Sequence, residues 1–219
     1  MGSSVSGVGV VDKAVSVLGA LEGGPRSLGE LVEATGFSRA TTHRLAVALE
    51  VHGLVRRDDD GRFALGVRLV ALGRAAAEAL PLSVAAQPAL RELRDATGES
   101  VQLYVREGDR RVCVAALESP HGLRTIVPMG ASLPLDAGSA GRVLSGGTVG
   151  WVESVGEREA GVASVSAAVV GPDGAPVAAV SVSGPIERTS RRPGSRYGEA
   201  VLAAARQVEE ATGLRPRPA

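Results

Sequence analysis

The strongest constraint on this chain is a set of three short amphipathic segments near its start, each bounded by its own start and stop signals. From Val11 to Glu22 the apolar residues Val11, Ala14, Val15, Leu18 and Leu21 recur at helical spacing, and Gly23-Gly24-Pro25 ends the run. Ser27, followed three residues later by Glu30, is a capping box that opens a second helix. Its buried face is Leu28, Leu31 and Val32, and Thr35-Gly36 ends it. Ser38 caps a third helix, with an apolar stripe of Leu45, Val47, Ala48 and Leu49 and a stop at Gly53. Three short helices with a tight, glycine-containing turn between the second and third predict a helix-turn-helix.

The next stretch, Leu54 to Leu65, reads as two short strands around Asp58-Asp59-Asp60-Gly61, a hairpin that forms a wing beside the third helix. Residues 8–65 therefore predict a winged helix-turn-helix. An amphipathic run from Gly66 to Leu80, stopped by Pro81, predicts a linker helix over residues 66–81. A further helix spans Leu82 to Ala96. The pattern then turns to strands at Ser100–Arg106, Arg111–Leu117 and Leu123–Pro128, a helix at Leu135–Leu144, strands at Val162–Val170 and Pro176–Ser183, and a closing helix at Gly194–Ala211. Residues 82–213 thus form a second domain of mixed character, and the fold class of the chain is α+β.

Composition narrows the function. Lys+Arg and Asp+Glu are equal at 24 each, so a phosphate-binding surface has to be a local patch rather than a global field. Aromatic residues are 2% of the chain, which leaves Ala, Val and Leu to build the cores. The single cysteine, Cys113, excludes an internal disulfide and suits a reducing cytoplasm. Met1 to Val10 lack the basic region of a secretory signal, and no apolar run approaches the ~20 residues of a membrane helix. A cytoplasmic protein with no membrane partner is expected. His43, His52 and His121 are scattered, no catalytic or metal-ligand spacing occurs, and Glu157 and Glu159 read as a surface loop. Neither enzyme activity, nor a metal, nor a cofactor is expected.

Ser38, Arg39, Thr41, Thr42, His43 and Arg44 gather at the start of the third helix, ahead of its apolar stripe. A recognition helix needs this arrangement, because its N-terminal residues enter the major groove. Arg39 offers a fork to guanine, and threonine hydroxyls and methyls suit base edges. Ser27 is placed to meet a phosphate at the start of the second helix. Arg56, Arg57 and Arg62 flank the wing turn and are expected to touch the backbone, while Asp58 to Asp60 keep the wing tip out of the groove. His43 is expected half-buried under Phe37. Duplex DNA is the predicted partner; the competing reading is a winged-helix protein-interaction module that does not bind DNA.

The segment SLGELVEATGFSRATTHRLAVALEVHGLVRRDDDGRFALG, with Thr41, Arg44 and Leu45 in a Thr-x-x-Arg-Leu pattern, resembles the winged helix-turn-helix of the IclR family of transcriptional regulators. LPLDAGSAGRVL, GEREAGVASVSAAV and AAVSVSGPIERTS resemble motifs of that family's effector domain, and the actinobacterial NdgR-type branch is the nearest in character. The resemblance implies a GAF-like effector-binding domain after the linker helix, a homodimer or dimer of dimers, and an operator regulated by an amino acid or related metabolite of amino-acid biosynthesis. It places the carboxylate-type effector pocket at Ser139, Ala140, Val162, Ser164, Ser181 and Ser183. Independently, Ser164 and Ser166 share one face of a strand, as do Ser181 and Ser183. Ser164 replaces a cysteine of the pocket and Ser154 an acidic residue, so keto-acid chemistry does not carry over. Cys113 reads as inert core.

The resemblance also implies a longer connection, with helical elements, than Gly147-Thr148-Val149 supply between GRVLSG and GWVESVGERE. Because the flanking motifs are intact, a break in the chain between Leu144 and Trp151 is expected, the absent stretch being a mobile lid.

Overall fold

The computed structural model describes residues 6–214, so the Met1–Val5 part of the signal-sequence reading lies outside it. The chain divides into two compact units, Met1–Ala76 and Ala77–Ala219. In the first, α1 (Gly9–Ala20), α2 (Leu28–Thr35) and α3 (Arg39–Val51) precede a hairpin of β1 (Val55–Arg57) and β2 (Phe63–Leu65). The capping box forms as the sequence demands: the Ser27 hydroxyl accepts from Glu30 N–H at 3.3 Å, and the Glu30 carboxylate accepts from Ser27 N–H at 2.7 Å. α2 ends on Gly36 in the left-handed conformation, φ 69°. Val17, Leu21, Leu31, Ala46, Leu49, Val55 and Phe63 make the core between the three helices and the wing.

The wing is stitched to the loop before α2, since Arg26 and Phe63 exchange two backbone hydrogen bonds at 2.8 Å each. Gly66 then starts the linker helix α4 (Val67–Ala79) against the end of α3. A Cβ on Gly66 would sit 2.1 Å from the Gly53 carbonyl oxygen, so only glycine lets the chain pass there. The division between the units falls inside α4, which was expected to be the linker as a whole.

In the second unit the elements run α5 (Pro81–Thr97), β3 (Ser100–Glu107), β4 (Arg110–Leu117), β5 (Ser132–Pro134), α6 (Ser139–Leu144), β6 (Trp151–Val155), β7 (Val162–Val170), β8 (Pro176–Pro185), α7 (Ile186–Thr189) and α8 (Pro193–Ala211). Among the described residues the strands form one six-stranded antiparallel sheet in the order β5-β4-β3-β8-β7-β6. Strand alternation gives the sheet two unlike faces. Val165, Ala167 and Val169 of β7 and Ala178, Val180 and Val182 of β8 pack against Leu90 and Leu93 of α5 and Val201 and Val208 of α8. The opposite face carries Ser164, Ser166, Ser181 and Ser183 and is covered by the short helix α6.

Three expectations are corrected. The segment Leu123–Pro128 is not a strand: the Thr125 carbonyl is taken by the Ser100 hydroxyl at 2.7 Å instead of by a neighbouring strand, and pairing resumes only at β5. The helix predicted from Leu135 begins at Ser139, because Gly138 adopts φ 82° and the Arg111 guanidinium bonds the carbonyls of Pro134 and Ala137 just ahead of it. The break expected between Leu144 and Trp151 does not exist. Ser145 N–H bonds the Gly141 carbonyl at 3.0 Å, and Gly146, Gly147 and Gly150, all at positive φ, carry the chain directly into β6.

β6 is anchored from the helical side. The Trp151 ring lies on Gly194 and Gly198 of α8, where an added Cβ would come within 2.0 Å and 2.4 Å of the indole. Gly194 N–H donates to the Glu153 carboxylate at 2.7 Å. Gly198→Ala is therefore expected to lower stability by about 1–3 kcal/mol through overpacking. Urea unfolding followed by the emission of Trp151, the only tryptophan, reads this directly; an unchanged midpoint would show that α8 can shift freely.

A second expectation concerns pH. The Ser27 backbone N–H, its hydroxyl and Arg62 hold the Glu30 carboxyl below its usual pKa of 4.5. A depressed carboxylate contributes stability above that value and loses it as pH falls through the lowered pKa. Glu30→Gln should melt below the wild type at pH 7, and the gap should close under acid. A constant gap from pH 7 to pH 2 would refute the assignment.

Candidate nucleic-acid interface and ligand cavity

α3 begins on Ser38, whose hydroxyl accepts from Thr41 N–H at 3.3 Å and donates to the Thr41 hydroxyl at 3.0 Å. Ser38, Arg39, His43 and Arg44 are exposed along the outer face of this helix and Thr41 is half-buried. Arg39, Arg44 and Arg56 have no ion-pair partner among the described residues, which leaves their guanidinium groups available. Ser27 is exposed at the start of α2, its hydroxyl used as a helix cap.

Three of the expected interface residues behave differently. Thr42 is 0% exposed and its hydroxyl donates to the Ser38 carbonyl at 3.1 Å, so it belongs to the core and cannot reach a base. Arg62 turns back toward α2, where it bonds the Glu30 carboxylate at 2.9 Å and the Pro25 carbonyl at 3.1 Å. It is a brace between wing and helix rather than a free phosphate contact. Arg57 stacks over the Phe63 ring at 4.1 Å and pairs with Glu50 at 3.5 Å, which fixes the wing strand. His43 is exposed rather than tucked under Phe37; the cation over that ring is Lys13, at 5.9 Å.

In the second unit the serines of the sheet come together. Ser154, Ser164, Ser183 and Ser100 are successive partners across β6, β7, β8 and β3. The next row is Ser166, Ser181 and Gln102. Ser139 at the first turn of α6 sits on this face, with its hydroxyl 2.7 Å from that of Ser164 and 2.8 Å from that of Ser166. The Ser166 hydroxyl reaches Ser181 at 2.9 Å, and Ser183 donates to the Gln102 side-chain oxygen at 3.1 Å. A cavity of about 20 Å³ remains, lined by Tyr104, Arg111, Gly138, Ser139, Ala140, Arg158, Ser164, Ser181 and Ser183. Five of the six expected pocket residues line it; Val162 stands outside, paired with Pro185 at the start of β7.

The sequence reading missed Tyr104, Arg111 and Arg158. Their strand and hairpin positions carry no spacing signal toward the serines, since only the register of β4 against β3 and the β6–β7 turn brings them in. Burial raises the Tyr104 phenol well above its ordinary pKa and keeps it protonated. Burial also raises Cys113, to about 12, in keeping with an inert thiol.

The geometry agrees with what the chain is similar to. The IclR helix-turn-helix domain matches residues 10–59, and the bacterial transcriptional regulator IclR C-terminal domain matches residues 74–146 and 148–210. The interruption falls at the short connection before β6. The chain is 33% identical to KipR of Bacillus subtilis over 116 residues, which are 53% of this chain and 46% of KipR. It is 25% identical to the transcriptional repressor AllR of Escherichia coli across 97% of this chain and 93% of AllR, in an alignment of 252 positions that exceeds this chain's 219 residues. An IclR homologue from Microbacterium hydrocarbonoxydans, crystallised with 4-hydroxybenzoate, has the same fold at TM-score 0.71, 21% identity and coverage of 94% and 100% of the two chains. Such relatives are transcriptional regulators, not enzymes, and among the described residues no single helix is long and apolar enough to cross a membrane. With its two units matched in order by the two domains of one family, the chain belongs to the IclR family of DNA-binding transcriptional regulators.

Proposed function

We propose that this regulator reads a pseudo-palindromic operator through α3 of two copies of the chain and that a small-molecule effector in the serine-lined cavity modulates the affinity. The observation that carries the DNA half is the line of unpaired side chains, Arg39 and Arg44 on α3 and Arg56 on the wing, beside the capped start of the helix. Arg39 and Thr41 address base edges, and Arg44, Arg56, Ser27 and Ser38 address phosphates. Exposed Val10, Val11 and Val15 on α1 offer an apolar face for a homodimer. Half-sites about 34 Å apart, or a multiple of it, follow from that symmetry.

The effector half rests on the buried hydroxyls around Ser139 and on the family resemblance. The homologue's 4-hydroxybenzoate is a carboxylate, and an amino acid or related biosynthetic intermediate carries the same group.

Operator affinity should fall linearly in log–log form with salt, at a slope near −0.9 per phosphate contacted. Arg56→Ala should weaken binding to all sequences alike and reduce the slope by about 1, whereas Arg39→Ala should relax base preference. Fluorescence anisotropy over a salt series measures both. A flat salt response would sink DNA binding in favour of a protein-interaction module.

A further inference from the structure

Lys13 is the only lysine of the chain and stands exposed on α1. Its charge is not used inside the fold. Gly9, Val10, Ser16 and Val17 occupy the positions three and four residues away, where an ion-pair partner on the same helix would stand. The adjacent Asp12 turns to the start of α1 and accepts from Ser6 N–H at 3.2 Å. Among the described residues no carboxylate forms an ion pair with Lys13.

The ammonium is instead carried across to the helix-turn-helix itself, where Nζ lies 5.9 Å from the centre of the Phe37 ring. Phe37 is the last residue before Ser38, the cap of α3. A ring face attracts the cation and narrows where a flexible four-carbon stem can place it, while the charge stays open to solvent. Lys13 thus joins Arg39 beside the start of α3, a helix with no acidic residue in its first turn. Two cations near the positive end of a helix repel each other and the helix dipole, an arrangement that an incoming anion relieves.

Direction around α1 separates this charge from the exposed apolar residues Val11 and Val15. Lys13 is two residues from each, which at about 100° per residue turns it about 160° away from both. One side of α1 is therefore apolar, and another presents a single cation.

We propose that Lys13 is a phosphate-binding residue of the operator complex, held beside the start of α3 by the Phe37 ring. This rests on the reading of α3 as the recognition helix. Lysine suits the task, since its compact ammonium meets a phosphate as a point charge. α1 then gives one charge to DNA and two valines to the dimer, so the same helix ties the grip on the duplex to the pairing of the copies.

The test uses the full chain and a fluorescent duplex selected by it from a random pool. Anisotropy over a salt series should give Lys13→Gln a log–log slope shallower by about 1, and Lys13→Arg the wild-type slope. Phe37→Leu should weaken wild-type binding more than it weakens Lys13→Gln, because the ring acts through the ammonium. As the only side-chain amine, Lys13 can also be footprinted with an N-hydroxysuccinimide acetate, read by mass spectrometry of the peptide that carries it. With duplex at about ten times its Kd, acetylation should slow about tenfold. A flat wild-type salt response would overturn DNA binding and this role together. A steep wild-type slope that Lys13→Gln leaves unchanged would overturn the role of Lys13 alone, as would acetylation at one rate with and without duplex. Equal costs of Phe37→Leu in the two backgrounds would remove Phe37 from it.

Discussion

A hydroxyl withdrawn from water must find a partner, and the second unit places a whole patch of them on one face of its sheet. Leaving one unsatisfied costs about 1–3 kcal/mol, so the arrangement tolerates little displacement. Ser139 supplies the partner that the strands cannot supply alone, since it joins Ser164 and Ser166 and through them Ser181. The position of α6 is therefore tied to the sheet by hydrogen bonds as well as by packing of Val143 and Leu144 against Tyr104, Cys113 and Ala179. On the opposite face the apolar packing of α5 and α8 needs no such precision in direction. The sheet is held by bulk on one side and by directed bonds on the other, which makes the second side the sensitive one.

The first unit divides its arginines in a comparable way. Arg57 and Arg62 are spent on geometry, one stacked on Phe63 and the other bridging the wing to Glu30. Arg62 reaches the capping box itself, so the wing and the start of α2 form one braced piece. Arg39, Arg44 and Arg56 remain outside this frame. A recognition surface benefits from that division, because unpaired guanidinium groups surrender no internal bond when they meet phosphate.

Local signals were legible in the sequence, and pairing partners were not. Ser27 with Glu30, Ser38, and Gly36 set helix limits through bonds that span only a few residues, so α2 and α3 could be read directly. β6 was missed because Trp151 to Val155 follows a glycine-rich stretch and its pattern does not alternate cleanly. The Leu123–Pro128 segment has strand-like residues, yet Ser100 takes a carbonyl that a ladder would need. Thr42 looked like its neighbours Thr41 and His43 in a list of polar residues; one helical step of about 100° turns it into the core. The serines of β7 and β8 showed themselves by alternation, whereas Arg111 belongs to the cavity only through a register that spacing does not encode. Three glycines in the shortened connection let α6 run straight into β6, where intact flanking motifs had suggested a lost stretch.

That shortening has a structural consequence for the cavity. A strand at the sheet edge, joined to α6 by a few residues, is held on the polar side by Arg142 of α6, which donates to the Glu153 carbonyl. Trp151 and the Glu153 carboxylate also fix β6 to the first turns of α8, through the two glycines that accept the indole and the N–H that meets the carboxylate. The alternate residues Val152 and Ser154 then face the other way, and Ser154 stands opposite Ser164. The edge of the hydroxyl patch is thus placed from both sides of the sheet, by α8 and by Arg142 of α6. Any displacement of α8 along the sheet would move Ser154 and the β6–β7 hairpin with it, so the apolar face sets the outline of the polar one.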